Sequence, residues 1–414
     1  MYLLQFCKTV ERMFYDKCIV VFNLVMSSKS PKQLMKEAMS LAMPERVPVM
    51  CQFAIGHTLL KSGLDSVDYF LSNDAYADGL LKMRELYNFD GVLIHKPGRE
   101  PSFTEIVSSI DRDMEPPTIF LTDGSRIECT KNDDPHYRFA EGFDLPKLEN
   151  INPDQPLSWA PDSFVRWSRH KGTAFYLDID QIPEHWYRCI DIILEAVGEK
   201  YSVHGEVRSP FDHLLNIAGM EEGLMALMVC PDNTHRLMET FTKMSVVWAI
   251  AQVRRGCDAI KISSPYAGAG FISPKQYEQW IVPYERRIAE AVRAEGAFVY
   301  THTCGAIGDR LDLMAETKID GIETLDPPPL GTVELAQAKC QLKNRLFIKG
   351  NVDPVNTILN KTAAEARRDI EAVYAVGSKG GQYIMSTACS IPPAAPVENV
   401  KEMTNCVYEH AKSS

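Results

Sequence analysis

The densest chemistry in this chain lies in FVYTHTCG, residues 298–305, where an apolar run leads into His302, Thr303 and Cys304 and then a glycine. In an extended chain, residues two apart point to the same side. His302 and Cys304 therefore aim at one point while Gly305 lets the backbone turn away, and imidazole with thiolate is a zinc-type donor pair. A second thiol, Cys389, follows another apolar run, GQYIMSTACSIPP, and Glu323 in DGIETLD takes the corresponding place on the run after the His-x-Cys segment. Four donors, His302, Cys304, Glu323 and Cys389, would then converge on one Zn2+. Two thiolates and a carboxylate would make that ion electron-rich, suited to activating a thiol or acting as a weak Lewis acid. Chance also produces such pairs among 11 cysteines and 10 histidines. The competing reading makes the cysteines small buried thiols and His302 a core histidine.

Convergence requires a scaffold that gathers strand ends. From residue 202 onward, short β-branched or apolar runs alternate with amphipathic stretches, the pattern of parallel β/α units. Strands are expected at 202–207, 259–263, 298–302, 321–325, 346–349 and 382–386, with helices over 233–255, 273–294 and 307–316 between some of them. Ser273 and Pro274 form an N-cap and first-turn pair. Two further strands, 46–53 and 91–94, flank a helical stretch at 66–88. Eight units predict an α/β fold, a TIM (β/α)8 barrel, over an open doubly wound sheet, since no GxGxxG follows any strand. Residues 97 to about 181 break the rhythm with Pro-rich and acidic pieces and a hairpin turning at Asp123 and Gly124. This stretch reads as one long insertion capping the C-terminal face, with a remote surface decoration as the alternative.

Basic side chains number 44 against 55 acidic ones, a net charge of −11. Without a long basic block, nucleic acid and anionic membranes are not expected partners. The most apolar stretch, residues 18–26, is far short of the ~20 residues that span a bilayer. Scattered cysteines in odd number suit a reducing cytoplasm. Charges interrupt the first 25 residues, so they make a poor secretory signal. They read as a non-native or accessory extension, with Met26 the natural start and a single domain spanning 26–414; an ordinary extra helix is the alternative.

From about Gly205 to the C-terminus, the sequence resembles the uroporphyrinogen decarboxylase superfamily, and specifically its corrinoid-linked methyltransferase branch. The resemblance rests on GCDAIKIS (256–263), FISPKQYEQWIVPYERRI (271–288), THTCG (301–305), KGNVDP (349–354) and PVENV (396–400). It implies a TIM-type barrel and a zinc signature of H-x-C with a remote Cys, matched by His302, Cys304 and Cys389. More distant zinc relatives place a glutamate ligand where Glu323 stands. A decarboxylase of this superfamily carries an arginine-rich stretch after the first strand, but CQFAIGH (51–57) has no arginine to meet a carboxylate-rich tetrapyrrole.

The resemblance therefore implies an enzyme, a zinc methyltransferase moving a methyl group between a small O-methyl compound and a corrinoid. An aryl methyl ether would be enclosed by Trp159, Phe164, Trp167, Phe175 and Tyr176, for which core packing is the other reading. No Asp-x-His-x-x-Gly motif is present, so the corrinoid would arrive on a separate protein. The alternatives are a decarboxylase, methyl transfer from a methylcorrinoid protein to a thiol acceptor such as coenzyme M, and a non-catalytic barrel. His204, Glu206, Tyr266 and His57 are expected near substrate, with His204 and Glu206 also rival metal ligands. Asp353 and Asn399 read as turn and helix-start contacts.

Overall fold

The computed structural model describes residues 28–173 and 176–413. The expected extension over 1–25 and the aromatic Phe175 lie outside the described residues. The N-terminal part of the described chain is helix Pro31–Met39, whose Ser30 cap accepts from the Gln33 N–H and whose apolar face is buried.

Seven strands form one parallel sheet: β1 (Gly91–Ile94), β6 (Ser202–Arg208), β7 (Ala259–Ser263), β8 (Phe298–Thr303), β9 (Gly321–Thr324), β10 (Phe347–Val352) and β11 (Tyr383–Thr387), in that order. The expected strand at 46–53 is not a continuous ladder. It makes isolated parallel bridges to the β11 side, Val49 to Met385 and Phe53 to Ile391. On its other flank Val49 accepts from the Asp90 N–H, just before β1. The Asp90 carboxylate takes the Val49 N–H at 2.7 Å and holds the Arg46 guanidinium at 2.6 and 2.9 Å. A buried ion pair thus does part of what ladder hydrogen bonds would do.

The sheet curls on itself. Met50, Leu93, Ala259, Tyr300, Phe347 and Ile384 come from six different segments and pack in one cluster with Met35, Ala38 and Met39 of the first helix. Such contacts across the sheet require its inner face to be concave. Strand alternation then sets the next inward layer two residues on: Lys261 follows Ala259, His302 follows Tyr300 and Lys349 follows Phe347. An apolar floor therefore carries a charged layer.

Between β1 and β6 the chain builds a separate antiparallel sheet from β2 (Val107–Asp111), β3 (Thr118–Leu121), β4 (Arg126–Glu128) and β5 (His136–Arg138). Its β3–β4 turn runs through Gly124 at φ +86°, a left-handed conformation that glycine adopts without Cβ strain. Ile119, Leu121, Ile127 and Trp167 give this part its own core, shared with Phe70. Helices depart from the expected bounds where side chains interrupt them. The stretch 66–88 divides at Ser72, whose hydroxyl accepts from the Ala75 N–H and starts Asn73–Tyr87. The stretch 273–294 divides at Ile281, ahead of Pro283, into Pro274–Trp280 and Val282–Ala294. Among the described residues no helix is long and apolar enough to cross a membrane.

Candidate metal centre

β8 delivers His302 from its end and Cys304 just beyond, and β11 delivers Cys389 two residues after its last residue. Gly305 turns the chain at φ +77° and donates its N–H to Asp326 at 2.7 Å, fixing the backbone after Cys304. Gly268 lies against this turn, where a Cβ would come within 2.4 Å of the Cys304 carbonyl oxygen. Behind Cys389, Gln52 donates to the Ser390 hydroxyl at 2.8 Å and Ala54 donates to the Ile391 carbonyl.

Three donor atoms meet there. His302 Nε2 lies 3.3 Å from Cys304 Sγ and 3.9 Å from Cys389 Sγ, and the two sulfurs are 3.6 Å apart. Zn–S and Zn–N bonds of about 2.3 and 2.0–2.1 Å at tetrahedral angles require S to S near ~3.8 Å and N to S near ~3.6 Å. The triangle has the size of a zinc site. Its electrostatics agree. His302 is pushed up to about 9 although burial works against its charge, because Cys389 and Glu323 lie on its ring nitrogens. The contact between the two thiols drives their acidities apart, Cys389 well below the usual thiol range and Cys304 above it. A site that gathers protons around one nitrogen and two sulfurs offers a divalent cation the same charge.

Glu323 does not join this triangle, contrary to the sequence expectation. Its Oε2 lies 3.0 Å from His302 Nδ1, on the ring edge away from the thiols. The reason is register: His302, Glu323 and Lys349 are ladder partners on adjacent strands, and Lys349 draws the other carboxylate oxygen into a hydrogen bond. Burial alone would raise the Glu323 carboxyl, but Lys349 first, and then His302 and Lys261, hold it well below the usual range. Three anionic ligands on one ion are therefore not what the geometry offers. Two thiolates match a divalent charge, and the carboxylate has its own counter-ions.

The other expected site residues divide. Glu206 faces the interior and pairs with Lys261 at 2.6 Å. Tyr266 is half-buried, edge-to-face with Phe271, and burial raises its phenol, aided by the charges of Asp212 and Cys304 and opposed by Arg208. His204 lies lower, buried between Ser202 at 3.1 Å and the Tyr300 hydroxyl at 3.0 Å, so both ring nitrogens are engaged away from the thiols. His57 is likewise used structurally. Its Nδ1 lies 2.9 Å from the Pro392 carbonyl, a partner that requires an N–H there, leaving Nε2 to accept from the Tyr87 hydroxyl at 2.7 Å. It steadies the loop behind Cys389. Trp159 and Phe164 pack together at 5.6 Å and Trp167 is buried in the core of the antiparallel part, while Phe164 and Trp167 also line a second cavity beside Lys171 and His213.

A cavity lies between the strand ends and residues 171–186, lined by Tyr176 and Glu206, both expected near substrate, and by His95, Lys171, Trp186, Arg208 and Trp248, which sequence reasoning did not single out. Sequence reasoning also missed the buried lysines Lys261 and Lys349. Their signal was a charged residue at an inward-facing position of an otherwise apolar strand.

The geometry can be set beside known proteins. The family model described as uroporphyrinogen decarboxylase (URO-D) matches residues 176–410. The methylcobamide:CoM methyltransferase MtbA of Methanosarcina mazei is 26% identical over 223 residues, covering 54% of this chain and 62% of the relative. Its Methanosarcina acetivorans counterpart is 27% identical over 221 residues, 53% and 62% of the two chains. A uroporphyrinogen decarboxylase of Prochlorococcus marinus is 29% identical over 184 residues, 44% and 49%. The chain thus spans about three fifths or less of the length of these curated relatives. A solved methyltransferase from Methanosarcina mazei superposes with a TM-score of 0.68 over 92% of this chain and 99% of its own, at 19% identity, which speaks for the fold.

Proposed function

Since the chain belongs to the uroporphyrinogen decarboxylase family, we propose that it is a zinc-dependent methyltransferase, exchanging a methyl group between a small substrate and a corrinoid held by a separate protein. The observation that carries this reading is the triangle of His302 Nε2, Cys304 Sγ and Cys389 Sγ, with edges of 3.3, 3.6 and 3.9 Å. These three residues would hold the zinc. When bound, the ion supplies Lewis acidity to the heteroatom that releases the methyl group, or holds the thiolate that receives it.

The chain's own residues prepare that chemistry. Glu323 accepts from His302 Nδ1, so the ring nitrogen that would give up its proton to a metal is Nε2, which faces the thiols. Lys349 and Lys261 keep the carboxylate ionised within a layer that water does not reach. Gly305, Asp326 and the 390–392 loop hold both sulfurs in place. Residues 97–181 form a cap over the strand ends in this reading. Asp134 reaches Lys96 at 3.3 Å and Lys171 at 3.6 Å, and Gly98 lies so close under the His185 carbonyl that no Cβ would fit. Tyr176, Trp186 and Trp248 wall the space beneath. An O-methyl donor, and an aryl methyl ether in particular, suits that wall. A reducing cytoplasm keeps the two thiols available.

A second reading reverses the transfer, from a methylated corrinoid protein to a thiol, and the printed names of the two Methanosarcina relatives favour it. Decarboxylation has less support, because no arginine occurs in residues 51–57. The test is cobalt methylation followed by absorbance, with reduced cobalamin and a panel of O-, N- and S-methyl compounds. Its reverse is thiol methylation from methylcobalamin. Transfer that disappears in Cys304→Ser supports the reading; no transfer in either direction by zinc-loaded protein would sink it.

A further inference from the structure

The cavity beneath the cap has an unusual charge balance. β6, β7 and β8 are adjacent, and Arg208, Ser263 and His302 stand in one row across them. Two strand spacings of about 4.8 Å put the ends of that row about 10 Å apart. The cavity at Arg208 and the metal-ligand triangle therefore open at the same level of the strand ends, within the span of one small molecule.

Around the cavity and the layer beneath it five cations, Lys96, Lys171, Lys261, Arg208 and Lys349, face four carboxylates, with Lys349 pairing Glu323. Lys261 has Glu206 at 2.6 Å and Arg208 has Asp212 at 2.6 Å. Lys96 and Lys171 share the single carboxylate of Asp134, at 3.3 and 3.6 Å. Close by, Arg99 is buried against the carbonyls of Pro97 and Tyr69 and the ring of Tyr76. The surplus registers on Lys96, whose ammonium falls to about 8, through burial first and then, against the pull of Asp134, through Lys171, Arg208 and Arg99. His95 lines the cavity with a buried Nε2 that has no hydrogen-bond partner. An excess cation and an unpaired ring nitrogen beside an aromatic wall are what a bound anion with an apolar body would satisfy.

We propose that this cavity binds one anionic group, a carboxylate or sulfonate, of the small molecule that exchanges methyl at the metal centre, with Lys171 and Arg208 as its charged contacts. The proposal rests on the methyl-transfer reading for the role of that molecule, but the binding itself needs neither zinc nor corrinoid. Lys171 closes helix Asp162–Lys171, and Arg208 ends β6. The anion would therefore tie the cap to the barrel, and a ligand lacking the charge would leave the two ammonium groups on one carboxylate.

The test is a titration of the full chain, by calorimetry or tryptophan fluorescence, with 4-methoxybenzoate, its uncharged analogue methoxybenzene, and 2-mercaptoethanesulfonate. The expected result is at least tenfold tighter binding of one anion than of methoxybenzene. Lys171→Met should abolish the preference and Lys171→Arg should restore it; Arg208→Met should weaken the anion tenfold or more. Which anion binds tells a donor carboxylate from an acceptor sulfonate. Equal affinity for charged and uncharged probes, no binding of either anion, or an unchanged preference in folded Lys171→Met overturns the proposal. Anion binding by protein that holds no zinc and transfers no methyl would leave the subsite standing and remove the methyl-transfer reading instead.

Discussion

Replacing Glu323 by glutamine separates two roles that the sequence could not. In the structure the carboxylate lies behind the imidazole, 3.0 Å from Nδ1, with Lys349 on its other oxygen. Glutamine keeps the shape and can still accept from Nδ1–H, but it removes the charge that makes Nε2 a better donor. It also leaves Lys349, fully buried, without its carboxylate. Removing the outer partner of a metal-bound histidine lowers metal affinity by about 10–100-fold, which is about 1.4–2.7 kcal/mol. The assay is a competition titration of metal-free protein with zinc against a chromophoric chelator, with circular dichroism to show that the variant is folded. A loss within that range identifies Glu323 as a positioning residue. Wild-type affinity would refute the reasoning, and a loss as complete as that of Cys304→Ser would make Glu323 a ligand after all.

Asp90→Ala should lower unfolding stability by about 3–5 kcal/mol, because it strands the buried Arg46 guanidinium and frees residues 46–53 from β1; urea unfolding that changes by less than about 1 kcal/mol would contradict the closing role given to this pair. Glu285 offers a pH test. Burial pushes its carboxyl from 4.5 up to about 7, despite Ser264 and Thr301. Its folded form thus keeps a proton the unfolded chain releases, and stability is full below pH 4.5 and falls as pH rises to 7. At about 1.4 kcal/mol per pH unit, Glu285→Gln should gain up to ~3 kcal/mol on wild type between pH 4.5 and pH 8, whereas parallel stability profiles would rule this out.

The strands were legible because an inward floor of apolar residues and an outward helix-covered face leave short β-branched runs; β1 and β7 have the expected bounds, and the others shift by a residue or a few. The segment 46–53 was not, because its closure relies on Arg46 and Asp90, a pair 44 residues apart, and only partly on a ladder. His302, Cys304 and Cys389 could be picked out because a two-residue spacing at a strand end fixes direction. Glu323 could be placed at the right level but not on the right side: its orientation depends on the Lys349 ammonium of the neighbouring strand, 26 residues away in the chain. His204 and His57 looked like site residues for want of knowing their partners, Tyr300 and Pro392. Asp353 shapes the turn after its strand as expected, accepting from the N–H groups of Val355 and Asn356, whereas Asn399 does not cap the start of a helix: it lies within helix Val397–Ser413 and donates to the distant Ile358 and Lys361 carbonyls. The charge surplus beneath Asp134 comes from segments distant in the chain, so only the folded arrangement reveals it.

The most direct test of the central claim is zinc content per chain by elemental mass spectrometry, on intact protein and on Cys389→Ser prepared side by side. Near one zinc is expected in the intact chain and almost none in the variant, with both folded. Folded intact protein without zinc, or a variant that retains it, would contradict the assignment of His302, Cys304 and Cys389 as the metal centre.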